Sequence, residues 1–135
     1  MISAVPDTQL IITVNNKVGT MAQVLNLVSS SGINLVAVCA YAVENVGNIM
    51  FVTEDNKLAK KLLEVKKYNV REEGVVLVTL SNKPGALEDV TKKISNAGID
   101  LTLVYGTVEK EGIISRVVVI SEDNKALLMA LRLNK

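Results

Sequence analysis

The chain has 135 residues, of which 49% are apolar and 21% are charged, and its formal net charge is +1. This apolar content excludes an intrinsically disordered chain, and 15 basic against 14 acidic residues give no basic excess typical of nucleic-acid or membrane-surface binders. Because His is absent and Cys39 is the single cysteine, we expect no imidazole–thiolate metal site, no Ser-His or Cys-His nucleophile pair and no cofactor.

The cysteine count and the apolar runs also bear on location. A single Cys cannot form an internal disulfide, which is typical of a reducing cytoplasm. The first residues carry no basic stretch, and no apolar run approaches the roughly 18 residues that a membrane-spanning helix needs. We therefore expect a soluble cytoplasmic protein without a signal peptide.

The first part of the chain predicts a strand, a helix and a second strand. Gln9–Asn15 is rich in β-branched residues and predicts a strand. Apolar residues from Met21 to Val28 then recur at the spacing of an amphipathic helix, which Gly32 ends. The long apolar run Ile33–Val43 predicts the second strand.

The following residues complete this unit. Gly47 is expected to turn the chain into a further strand, Asn48–Thr53, so that the two strands form a hairpin. Asp55 is the expected N-cap of a second helix. Tyr68–Glu73 predicts a fourth strand, and Gly74 marks the passage to the next part of the chain.

The rest of the chain repeats this pattern. The segment Val14–Gly19 recurs 66 residues later as Leu80–Gly85, and Glu54–Lys57 recurs 68 residues later as Glu122–Lys125. The second copy predicts a strand at Val75–Leu80 and a helix that ends at Gly98 and buries Leu87, Val90 and Ile94. A strand pair follows, Ile99–Val108 and Gly112–Ser121, with a turn at Glu109–Gly112, and the last helix begins near Asp123.

We therefore predict an α+β fold of two tandem ferredoxin-like βαββαβ units, each with its helices on one face of an antiparallel sheet. The units are expected at residues 1–73 and 74–135. Too few residues follow the last helix for a normal fourth strand, so the second unit either lacks that strand or borrows one, for example Met1–Val5.

Two strand sequences bear on assembly. Leu35–Val43 and Val117–Ile120 are apolar at successive positions, hence on both faces of a strand. An uncovered apolar face usually marks an interface, so we expect a homodimer or a partner complex. The alternative is that single Val or Ala side chains face solvent without consequence.

Two loops are candidate ligand sites, Asn15–Thr20 and Ser81–Ala86, and each joins the first strand of its unit to the first helix. A helix N-terminus offers unpaired N–H groups to an anion, and Gly19 and Gly85 allow close backbone approach. The alternative is that these residues only make a good turn.

The run Asn82–Leu87, followed by Ser95–Leu101, resembles the ACT domain of regulators of amino-acid metabolism. The resemblance covers nearly the whole chain as two copies and is closest to small standalone tandem-ACT proteins without a catalytic domain. In such proteins an amino acid binds between two ACT domains, where the strand-to-helix loop of one domain meets the start of the second strand of its neighbour.

The resemblance implies ligand-binding residues at matching positions in both copies. In the first copy Val18 replaces Pro and Thr20 follows the Gly, which implies a degraded or altered site there. The implied residues of the two loops and the two strand starts are Asn16, Val18, Gly19, Thr20, Asn34 and Leu35 in the first copy, and Asn82, Gly85, Ala86, Leu87, Asp100 and Leu101 in the second.

The favoured function is a non-catalytic sensor that binds an amino acid and signals through its assembly or a partner enzyme. The alternative is an interaction module that keeps the fold without a ligand and regulates a partner by contact. RNA-recognition domains share this topology but need an aromatic signature that is missing here, so no nucleic-acid partner is expected. No residues stand at catalytic spacing, and we expect no enzyme.

Overall fold

The computed structural model describes residues 2–108 and 114–132, and the turn predicted at Glu109–Gly112 lies outside them. Six strands and four helices follow one another in the predicted order, which confirms the α+β class and the repeated ferredoxin-like pattern. The elements are β1 (Ile2–Asn15), α1 (Thr20–Ser29), β2 (Leu35–Val43), β3 (Val46–Thr53), α2 (Asn56–Val65), β4 (Val70–Ser81), α3 (Ala86–Asn96), β5 (Leu101–Val108), β6 (Ile114–Ser121) and α4 (Asn124–Arg132).

The chain forms two compact units, and the long strands β1 and β4 each contribute to both. One unit is continuous and runs from Thr8 to Glu73, with its strands in the order β2-β3-β1-β4. The other combines the chain up to Asp7 with the chain from Gly74 onward, in the order β1-β4-β6-β5. We call these the continuous unit and the split unit.

The split unit differs from a simple 74–135 repeat because the chain before Asp7 is part of it. Ala4 is buried in the same apolar core as Val78 and Leu127. The guanidinium of Arg132, the last described residue of α4, donates to the carbonyl of Ala4 from Nε at 3.0 Å and from Nη2 at 2.8 Å. The first half of β1 thus serves as a strand of the split unit.

Two local predictions were wrong. Val70–Ser81 is one strand rather than two, because Gly74 lies in extended backbone, where its carbonyl accepts a hydrogen bond from the side chain of Asn124. The β2–β3 turn is made by Glu44 and Asn45, since Val43 pairs with Val46, and Gly47 lies within β3. Glu44 adopts the positive φ, 55°, that the turn requires.

Each unit has its own core between sheet and helices. In the continuous unit Leu10, Ile12 and Phe51 of the sheet pack with Val28 and Leu63 of the helices. In the split unit the corresponding members are Val76, Val78, Val119, Ile94 and Leu127. The apolar spacing in the sequence therefore marks the helix faces that are buried.

The two apolar strand sequences, Leu35–Val43 and Val117–Ile120, differ in how far they are exposed to solvent. Val117–Ile120 is buried throughout within the single chain, so this run does not require a second copy. In β2 the exposure is concentrated at the end of the strand, where Tyr41 is 50% exposed and Val43 is 61% exposed. Val46, the partner of Val43 in the hairpin, is also exposed.

The repeated Glu-Asp-Asn-Lys segments lie where β3 and β6 lead into α2 and α4. Asp55 Oδ1 accepts a hydrogen bond from the backbone N–H of Leu58 at 3.1 Å, which confirms it as an N-cap. Asp123 Oδ1 accepts from the N–H of Ala126 at the same distance. Both helices therefore begin with a capping side chain supplied by the repeat.

Candidate functional site

The two strand-to-helix loops end on glycines with a left-handed backbone. Gly19 precedes α1 with φ 87°, and Gly85 precedes α3 with φ 86°. A Cβ at either position would meet nothing within 4 Å, so the backbone conformation rather than space favours glycine there. The repeated Gly is thus explained by the geometry of the turn.

The starts of α1 and α3 differ from the starts of α2 and α4. Among the described residues no side chain caps α1 or α3, whereas Asp55 and Asp123 cap the other two helices. The first turn of α1 also contains no acidic residue, while that of α3 contains Glu88 and Asp89. The N-terminus of α1 therefore keeps uncapped N–H groups and a partial positive charge that no nearby acidic side chain of its own first turn offsets.

The loop of the continuous unit borders a cleft of about 360 Å³. This volume is within the range of small-molecule sites and is sufficient for an amino acid. Three predicted residues line it, Asn16, Gly19 and Thr20. Val18, also predicted, is fully exposed and is not part of the lining.

Sequence reasoning missed the opposite wall of this cleft, to which Tyr41 and Asn48 contribute. The sheet register brings them there, because Val14 pairs with Gly47 and Tyr41 pairs with Asn48 at the end of β1 that leads into the loop. The Oγ1 of Thr13 donates to Asn48 Oδ1 at 3.1 Å, and Arg71 Nη2 donates to Thr13 Oγ1 at 3.4 Å.

The other predicted residues of this unit, Asn34 and Leu35, lie at the far end of β2. Leu35 and Val43 are eight positions apart, which is about 26 Å along a strand. Asn34 is engaged locally, since its side-chain amide donates to Glu54 Oε2 at 3.3 Å and its carbonyl accepts from the Glu54 N–H at 3.0 Å. One small molecule cannot contact both groups within this unit.

In the split unit, too, the predicted residues at the start of the second strand lie apart from the predicted loop residues. Asp100 and Leu101 line a second cleft, of about 370 Å³, with residues at the end of α3 such as Ser95 and Gly98. The predicted loop residues Asn82, Gly85, Ala86 and Leu87 lie before and at the start of α3, outside this lining. In each unit, therefore, the predicted loop residues and the predicted residues at the start of the second strand lie at different places.

The described part of the chain can be searched for metal sites, membrane-spanning helices and free thiols. Within residues 2–108 and 114–132, no three Asp, Glu, Cys or His residues are grouped so that they could hold a metal ion. In the same ranges no helix has the length and apolar character needed to cross a membrane. Cys39 is a free thiol and is partly buried.

Known proteins resemble this chain in sequence pattern and in fold. The sequence model of the ACT domain pair matches residues 6–133. No curated protein sequence shows a significant match.

Among solved structures, the Bacteroides thetaiotaomicron protein BT0572 is 26% identical, with a TM-score of 0.86 over 96% of this chain and 88% of its own. The ligand-free regulatory subunit of aspartate kinase from Thermus thermophilus is 14% identical, with a TM-score of 0.69 over 98% of this chain and 96% of its own. Escherichia coli aspartokinase III in complex with lysine and aspartate is 15% identical, with a TM-score of 0.56 over 98% of this chain and 32% of its own. The last two likenesses concern the fold alone.

Proposed function

The chain belongs to the ACT domain pair family, and we propose from this premise that it is a non-catalytic regulatory module that binds a small amino acid. ACT domains are typically regulatory ligand-binding domains, which sets the general class. The more specific parts of the proposal are the amino acid, its site and the regulated partner, and the residues around the cleft support the first two.

The uncapped start of α1 beside the cleft is the observation that carries the proposal. This chain caps two of its helices with Asp and leaves the helix beside the cleft without a cap. An α-carboxylate bound there would accept hydrogen bonds from the free N–H groups and interact favourably with the helix dipole. Lys17, which lines the same cleft, adds a positive charge.

The rest of the site is proposed to come from a second copy of the chain. Within a unit the predicted loop residues and the predicted residues at the start of the second strand lie too far apart to hold one amino acid. A neighbouring ACT unit is therefore needed to supply the other half of the binding site. β2 is the terminal strand of the continuous unit and β5 that of the split unit. Antiparallel pairing of β2 with β5 from another copy would bring the loop near Asp100, whose carboxylate suits the ligand ammonium.

The regulatory role is supported by the kind of protein that shares the fold. One structural neighbour is a regulatory subunit of aspartate kinase, and another is an aspartokinase in complex with lysine and aspartate. We propose that the present chain similarly passes an amino-acid signal to a partner enzyme, through contact or through a change of its own assembly. The single free Cys39 fits a cytoplasmic setting for this role.

A second candidate is an interaction module that has kept the fold without the ligand. It is favoured by the exposed apolar side chains at the end of β2, Tyr41 and Val43, on the terminal strand of its unit. Such a strand is available for pairing with another chain. Both candidates therefore use the same strand, and they differ in whether an amino acid is required.

Thermal unfolding of the full chain with each of the twenty amino acids distinguishes the amino-acid sensor from the interaction module without a ligand. A ligand at a hundredfold excess over its Kd stabilises the folded state by about 2.7 kcal/mol, which raises the melting temperature by several degrees. The proposal predicts such a rise for one amino acid or a chemically related set. No rise with any of them contradicts the sensor and leaves the interaction module.

A further inference from the structure

The walls of the cleft in the continuous unit are mainly apolar. Four apolar residues line it: Ile49, which is buried, Val14, which is partly buried, and Ala40 and Ala42 of β2. An apolar ligand side chain gains free energy there by leaving water. This part of the cleft is well suited to a side chain and poorly suited to a solvated charge.

The polar groups of the cleft favour hydrogen-bond acceptors over cations. Asn48 Oδ1 already accepts from Thr13 and keeps one further lone pair, while the NH2 group of the same side chain can donate two hydrogen bonds. Lys17 is a cation in the lining, and Arg71 contacts Thr13. Within the part of the chain that the structure describes, none of the residues that line the cleft is Asp or Glu.

These features bear differently on each class of ligand side chain. A lysine or arginine side chain would lose water beside apolar walls, and no described lining residue offers it a carboxylate, since the Asp100 proposed to come from a second copy pairs with the ligand α-ammonium. An acidic side chain would compete with the ligand α-carboxylate for Lys17. An uncharged side chain meets neither difficulty.

We infer that this cleft selects amino acids with uncharged side chains and rejects those with cationic ones. The inference rests on the proposed function, since it concerns the ligand of the same site. It is restricted to the first repeat. In the second repeat Arg116 stands opposite Thr79, at the place where Asn48 stands opposite Thr13.

Calorimetric titration of the full chain with norleucine and with lysine tests the inference. Both ligands have the same α-groups and a four-carbon side chain, and they differ in the terminal ammonium. We expect norleucine to bind more tightly than lysine by about tenfold or more, since burying an unpaired ammonium costs at least that factor.

Asn48→Asp places a carboxylate in the cleft and keeps the acceptor for Thr13. We expect it to lower the norleucine-to-lysine affinity ratio by about tenfold, because the ammonium then has a partner. Asn96→Asp, at the end of α3 and outside the cleft, is the matched control for the change of charge and should leave the ratio unchanged.

The outcomes separate the inference from the proposed function. Tighter binding of lysine than of norleucine by the natural chain overturns the inference and leaves the sensor intact. An equal change of ratio in both variants also overturns it. If neither these two ligands nor any of the twenty amino acids binds, the proposed function itself fails.

Discussion

The side-chain amide of Asn124 donates to the backbone carbonyl of Gly74 at 2.9 Å, and it thereby ties the start of α4 to β4. Asn56 makes the corresponding bond to the carbonyl of Thr8. In both repeats the same Asn Oδ1 accepts from a backbone N–H, that of Ser121 at 3.0 Å and that of Thr53 at 2.9 Å. The recurring Glu-Asp-Asn-Lys sequence is therefore explained by structure rather than by chemistry.

Asn124→Asp is expected to destabilise the chain by about 0.5–1.5 kcal/mol, since it keeps the acceptor for Ser121 and removes the hydrogen bond to the exposed Gly74 carbonyl. Urea unfolding measures the change. Asn56→Asp should have a comparable effect, and Asn96→Asp, at the exposed end of α3, should have almost none. Equal stability of all three variants would contradict this role for the two Asn side chains.

Arg132→Ala is expected to loosen the first half of β1, because the Ala4 carbonyl then loses both of its guanidinium donors. Hydrogen exchange should rise in the peptide that contains Ala4 by more than in peptides of the continuous unit. Arg71→Ala removes a guanidinium whose contact with Thr13 is longer, at 3.4 Å, and serves as the control. Unchanged exchange around Ala4 in Arg132→Ala would show that the apolar core alone holds this strand.

Gly19→Ala is expected to cost roughly 1 kcal/mol of folding free energy, because φ 87° is unfavourable for a residue with a Cβ although the space is open. Gly19→Asn should cost less, since Asn tolerates this backbone region better. Gly74→Ala is the matched control without a positive φ and should be close to neutral. Chemical unfolding of the three variants ranks them, and a Gly74 variant weaker than the Gly19 variants would refute the argument.

Val43→Lys is expected to weaken self-association of the chain, because it places a charge on the exposed end of β2 that is proposed to pair with another copy. Sedimentation equilibrium at several concentrations provides the measurement. Val65→Lys changes an equally exposed Val at the end of α2 and should leave the association constant as it is. A shift of the same size in both variants would argue against an interface on β2.

Much of the fold could be predicted because the determining signals are local. Asp55 as an N-cap and the apolar spacing from Met21 to Val28 depend on neighbours within a few residues, and the repeat shows each signal twice. The role of the chain before Asp7 could not be predicted, because its partners in the core, such as Leu127, are more than a hundred residues away.

The candidate site, too, could be predicted only where its residues are close together in the sequence. Asn16, Gly19 and Thr20 were found because the loop motif is continuous in sequence. Tyr41 and Asn48 enter the cleft through strand register, which depends on which residues of β1, β2 and β3 lie opposite one another. A shift of one position would move them to the other face of the sheet, and the sequence pattern alone does not fix this.

The split unit has a consequence for the order in which the protein assembles during synthesis. All residues of the continuous unit, from Thr8 to Glu73, have been made well before α4. The first half of β1 leaves the ribosome earlier still, yet the Arg132 side chain that holds Ala4 is made 128 residues after Ala4. The first half of β1 therefore completes its contacts only after α4 has been made, and a strand that is still incompletely packed can pair with other nascent chains.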